Sequence, residues 1–155
     1  MKVIYSCYWG SCLAMVAAFL HLEYIDEERE IFPLNLFNNI SDCEFGELIH
    51  VGRDDKGRDV FAIGTKNSGK ILAKTLVGIA GVYGFPADSV QFVDLNHLYN
   101  GTILLGVFLI RIFNLGFLGR RLIVSGIKKN FGRLKNLVQS VRAKQLAPTE
   151  RGGSR

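Results

Sequence analysis

The segment Gly64-Thr65-Lys66-Asn67-Ser68-Gly69-Lys70 has the residue types and spacing to hold a phosphate. It fits the pattern G-x-x-x-x-G-K, in which backbone N–H groups ring an anion, the following helix N-terminus adds partial positive charge and the lysine supplies a point charge. Gly64, Lys66, Asn67, Ser68, Gly69 and Lys70 are therefore the first candidate anion contacts. Ile71 stands where a magnesium-coordinating Ser or Thr would follow the lysine, so a metal-dependent nucleoside-triphosphatase loop is not expected. Asn67-Ser68 also reads as an ordinary helix cap with Gly69-Lys70 as a plain first turn.

A second candidate lies at Cys7-Tyr8-Trp9-Gly10-Ser11-Cys12. Gly10 lets a backbone approach a ligand and Ser11 can cap a helix. Cys7, at a strand end before a helix, could be an activated thiolate, but a buried structural cysteine, an inert small hydrophobe, is the better reading. A cysteine phosphatase needs an Arg about six residues later, but position 13 is Leu and the first Arg is Arg29. Cys7 and Cys12 are five apart, which is not the C-x-x-C spacing of redox or zinc sites. Cys7, Cys12, His21, Cys43 and His50 share no metal-ligand spacing, so neither a metal nor a cofactor is specified. Asp94-Leu95-Asn96-His97 could place a general base or a ribose-binding carboxylate, with Asn96 as a helix cap and His97 at the surface. His21, beside apolar residues on a helix, reads as a hydrogen-bonded histidine at the edge of the core.

These residues share a position within their elements. Val3–Cys7 reads as a strand, and Leu13, Val16, Ala17, Leu20 and His21 as the face of a helix. Residues 23–46 form a polar insertion. Two strand-like runs, 48–52 and 60–64, flank Arg53-Asp54-Asp55-Lys56-Gly57-Arg58 and predict a β-hairpin. Ser68 opens a helix that Gly84 and Pro86 close. Residues 89–94 predict a strand, 98–115 an apolar helix, and Arg121–Ser125 a last strand. An amphipathic helix follows through Ile127, Phe131, Leu134, Leu137, Val138 and Val141.

This alternation predicts an α/β fold with three layers, α/β/α. Its sheet would be mostly parallel, P-loop-like or Rossmann-like, with the hairpin adding one antiparallel edge strand. Open α/β sheets bind ligands at their carboxyl edge. Four strand-to-helix junctions would gather there, bringing Cys7, Asp94, Asn96, His97, Ser125 and Lys128 to the crevice as polar groups. The expected organisation is one domain over 1–146 and a disordered basic tail over 147–155.

The length of 155 residues, the 48% hydrophobic content and the 21% charged content exclude wholesale disorder. Residues 1–100 carry 8 Lys/Arg and 13 Asp/Glu, whereas residues 101–155 carry 11 Lys/Arg and Glu150 alone. The basic last third could meet an acidic partner, an anionic membrane surface or nucleic acid. Nucleic acid is disfavoured because exposed interleaved aromatics and helix-turn-helix spacing are both lacking. Three cysteines, an odd number, argue against a secreted disulfide framework and for reduced thiols in the cytoplasm. The apolar stretch from Leu13 to Leu20 after Lys2 is faintly like a signal peptide, but Cys7–Ser11 interrupts it and the start reads better as a strand. Thr102–Leu118 is apolar but holds Arg111 and Asn114, so it is expected as a buried or interfacial helix.

Three stretches together, Lys2–Gly10, Gly64–Lys70 and Gly126-Ile127-Lys128-Lys129-Asn130-Phe131, resemble the bacterial family known as domain of unknown function 3189, which is associated with spore-forming Gram-positive bacteria. The resemblance covers about residues 2–143 and implies a cytoplasmic α/β protein. The first loop in that family is commonly Cys-Tyr-Gly-Gly followed by His or Ser. Here Trp9 takes one glycine position, and Cys12-Leu13-Ala14 take the polar ones. The resemblance implies no catalytic residue. Two readings remain open: binding of a nucleotide or other phosphorylated small molecule at the carboxyl edge, or a non-enzymatic interaction protein. The second would dock a partner or an anionic membrane surface through helix 98–115 and the basic last helix. A cysteine-dependent enzyme built on Cys7 is a third.

Overall fold

A computed structural model of the chain describes residues 1–9, 13–27, 45–113 and 115–144. The predicted tail at 147–155 and most of the 23–46 insertion lie outside them. The described elements run β1 (Lys2–Cys7), α1 (Leu13–His21), β2 (Leu48–Arg53), β3 (Asp59–Gly64), α2 (Gly69–Val82), β4 (Val90–Asp94), α3 (Gly101–Phe113) and α4 (Gly116–Ala143). Short 3-10 turns at Ala87–Ser89 and Asn96–Leu98 precede β4 and α3.

The fold is mixed α/β around one four-stranded sheet of order β2-β3-β1-β4. β1 is central and parallel to both neighbours, pairing Cys7 with Gly64 and Ser6 with Asp94. A strand covered on both sides should be apolar throughout, and every β1 residue after Lys2 is buried. The expected hairpin supplies the antiparallel edge: β2 pairs only with β3, with a register shift between His50 and Gly52. Its turn closes through Gly57 at φ +72, and the Gly57 N–H donates to the Asp54 carbonyl.

The period of two along β1 and β3 sends Val3, Tyr5, Cys7, Val60 and Ala62 to one face. There they join α1 and α4 in the main core with Leu13, Val16, Ile127 and Leu134. Ile4 and Ile63, also buried, point the other way. α2 starts after Ser68 as expected and stops at Gly84, whose φ of +73 suits a helix terminator.

The strand expected at 121–125 does not exist. Arg121–Ser125 is the second turn onward of α4, a helix of 28 residues. Its β-branched residues Ile123 and Val124 continue a helical stripe through Ile127, Phe131, Leu134, Val138 and Val141, all buried. Tertiary burial outweighs the local β preference. Gly126 is where α4 meets α3: a Cβ there would stand 2.5 Å from Ile103.

Candidate functional site

Three strand ends open on one edge. Hydrogen bonds tie them together: the Thr65 N–H donates to the Cys7 carbonyl (3.0 Å), that of Lys66 to Tyr8 (3.2 Å) and that of Leu95 to Ser6 (2.9 Å). The exits of β1, β3 and β4 are therefore adjacent, bringing Cys7, Gly64, Lys66 and Asp94 to a common rim. Ser125 and Lys128, expected at a fourth junction, are instead within α4, because no strand precedes them. Gly10 and Ser11 lie outside the described residues.

At the β3 exit a cavity of about 250 Å³ is lined by Phe45, Gly46, Gly64, Thr65, Lys66, Ser68 and Leu72. Its floor is Thr65, which is buried, and whose Oγ1 has no hydrogen-bond partner among the described residues. Leaving a buried hydroxyl unsatisfied costs about 1–3 kcal/mol, so such a group marks a place for a further partner. Ser68 starts α2 without spending its own hydroxyl on a cap. The first bond of that turn is Leu72 N–H to Ser68 carbonyl. The amides of Gly69, Lys70 and Ile71 thus lack acceptors within the helix. A Cβ on Gly69 would lie 3.1 Å from Thr65 Oγ1, so the glycine leaves room above the hydroxyl.

The loop is tighter than a ring of open amides. The N–H groups of Thr65, Lys66 and Ser68 are already donated to carbonyls within the fold. Lys66 takes φ +47, and its Nζ sits 3.9 Å from the centre of the Phe45 ring. The Trp9 ring also meets Phe45, tilted at 48° with centroids 5.8 Å apart. Gly46 N–H to Gly64 carbonyl, 2.9 Å, pins this aromatic wall beside the loop. Asn67 and Lys70 are exposed, and Ile71 is 69% exposed in the place of a metal-binding hydroxyl.

The remaining candidates are spread between the core and the surface. Cys7 is fully buried with its side chain in the core. Asp94 is exposed and accepts the Asn96 N–H at 2.9 Å. Asn96 belongs to a 3-10 turn and does not cap α3. Asn100 takes that role, accepting the Ile103 N–H at 3.0 Å. His97 is exposed, as expected. His21 is wholly buried and donates or accepts at both ring nitrogens, to Tyr5 Oη at 2.7 Å and Asp54 Oδ2 at 3.0 Å. Sequence reasoning missed Thr65 and Phe45. Thr65 lies inside the quoted motif but carried no signal of burial, and Phe45 sits at the end of an insertion.

The chain belongs to the family described as protein of unknown function DUF3189, whose model matches residues 2–143. No curated protein and no solved structure matches it.

Proposed function

We propose that this protein binds a phosphorylated small molecule, with a nucleotide as one form of it, in the cavity at the β3 exit. The observation that carries the reading is the Thr65 hydroxyl, buried without a partner beneath the open first turn of α2. Lys66, Ser68 and Lys70 supply charge and a second hydroxyl around it. The internal spending of three loop amides and the exposed Ile71 argue for a single phosphate group held without a metal, rather than a metal-bound triphosphate.

Topology supports the location. The crossover from β1 through α1 to β3 moves one way across the sheet, whereas β3 through α2 to β4 moves back over β1. Right-handed connections, the rule for parallel crossovers, would set α1 and α2 on opposite faces, which supports a three-layer α/β/α reading. The reversal of direction at β1, with β3 on one side and β4 on the other, supports a ligand site at this carboxyl edge, where open α/β sheets hold ligands. Trp9 and Phe45 offer a planar group on the ligand an aromatic surface.

Trp9 is the only tryptophan of the chain and so reports on this edge. Titration with inorganic phosphate, sugar phosphates and nucleoside monophosphates should change its emission for at least one phosphate ester and raise the melting temperature. Thr65→Val and Lys70→Ala should each weaken that response about tenfold or more, while Lys128→Ala leaves it unchanged. A wild-type protein that responds to none of these at millimolar concentration excludes the reading.

A further inference from the structure

The α3–α4 hairpin has an arrangement that water does not favour. α3 packs chiefly on α4 rather than on the sheet. The two backbones close at glycines: a Cβ on Gly106 would stand 2.7 Å from the Gly119 carbonyl oxygen, and one on Gly119 only 2.6 Å from that of Gly106. Ile103, Val107 and Ile123 fill the seam and are buried. Yet the outward face is apolar as well. Leu104, Phe108, Ile112, Phe113, Phe117 and Leu118 are all exposed, Phe117 by 66%. Arg111 is the one charged residue of α3, and a helix otherwise apolar belongs in a core or in lipid. Six large exposed apolar side chains on one hairpin exceed the scattered single exposures of ordinary surfaces.

The charges beside it select the occupant. Residues 95–149 contain no Asp or Glu. Arg120 and Arg121 are exposed one turn into α4, with Arg121 lying 4.4 Å over the Phe117 ring. Neither has a carboxylate partner among the described residues. A second copy meeting this face by a two-fold axis would set one arginine collar against the other without a counter-charge. An anionic bilayer supplies both the apolar phase and the missing negative charge. No helix among the described residues is long and apolar enough to cross a membrane, which leaves insertion at the interface.

We infer that the α3–α4 turn dips into the surface of an anionic bilayer, with Phe113, Phe117 and Leu118 in the acyl region and Arg120 and Arg121 at the headgroups. Flotation of the full chain tests this with vesicles of phosphatidylcholine alone and of phosphatidylcholine with phosphatidylglycerol. The protein should float with the anionic vesicles, less with neutral ones, and less as salt rises. Ile112→Ser/Phe117→Ser should lower binding about tenfold or more, with helicity and melting temperature retained because both side chains are exposed. Arg120→Glu/Arg121→Glu should lower binding to anionic vesicles alone, by about fivefold or more per arginine. The inference is overturned by a wild type that stays soluble beside both vesicle types, or by folded variants that float like the wild type. It is equally overturned by a dimer in sedimentation equilibrium that Phe117→Ser dissociates, since a second copy would then own the face.

Discussion

At the residue scale the most constrained group is His21. Asp54 is an acceptor only, so His21 Nε2 carries the proton towards Asp54 Oδ2, and Nδ1 must accept the Tyr5 hydroxyl. Arg58 Nη2, 3.4 Å from the same Nε2, is then a contact between two donors, and the guanidinium is instead held by its 2.6 Å bond from Nε to Asp54. Tyr5→Phe strands a buried ring nitrogen and should cost about 1–3 kcal/mol in urea unfolding. Asp54→Ala strands Arg58, only 5% exposed, and should cost more, about 3–5 kcal/mol. Thr65→Val separates the cavity from this scaffold. Its Oγ1 has no partner to lose, so unfolding free energy should change by less than about 1 kcal/mol while the phosphate response is lost. A large loss of stability in that variant would make Thr65 a structural residue.

At the scale of elements, glycines in helices separate packing from propensity. Gly106→Ala and Gly119→Ala drive a methyl into the facing backbone, and each should destabilise by about 1–3 kcal/mol. Gly132, on the open side of α4 with nothing within 4 Å of a Cβ, should gain about 0.5–1 kcal/mol as Ala. Thermal unfolding of the three variants should rank them in that order, and an unaffected Gly119→Ala would mean the helices are not in backbone contact. The same distinction explains what could be read from the chain. The hairpin was legible because Gly57 and the charged turn encode it locally, and the start and stop of α2 because Ser68 and Gly84 are local signals. Arg121–Ser125 was not, because a five-residue β-branched run cannot reveal that Ile123 and Val124 will lie against α3. The rim of the site was legible through the glycines and lysines of 64–70. The burial of Thr65 was not, because it depends on a hydrogen bond to Cys7, 58 positions earlier.

On the scale of the molecule, the Tyr5–His21–Asp54–Arg58 group joins β1, α1, the hairpin turn and the end of α4. Arg58 and Lys56 donate to the carbonyls of Val141 and Arg142, and Arg142 pairs with Glu23. Its protonation therefore bears on the whole fold. Burial alone would raise the Asp54 pKa, but the Arg58 amide, the His21 ring and the Arg58 guanidinium together hold it at about 2. Burial lowers the His21 pKa, against the pull of Asp54. For both groups the unfolded chain takes up the proton first as pH falls, so stability rises with pH across each window. The histidine contribution is complete above its unfolded value of 6.5 and is lost below it. The aspartate contribution, roughly 2 kcal/mol, is complete above 3.8 and is lost as pH falls through about 2. Urea midpoints measured against pH should hold level above neutrality and decline in two stages. Because a protonated His21 would set a cation beside the Arg58 guanidinium, the first stage should begin near pH 6.5 and vanish in His21→Gln. Midpoints unchanged between pH 7 and pH 5 would mean that this ring is not held neutral at the junction.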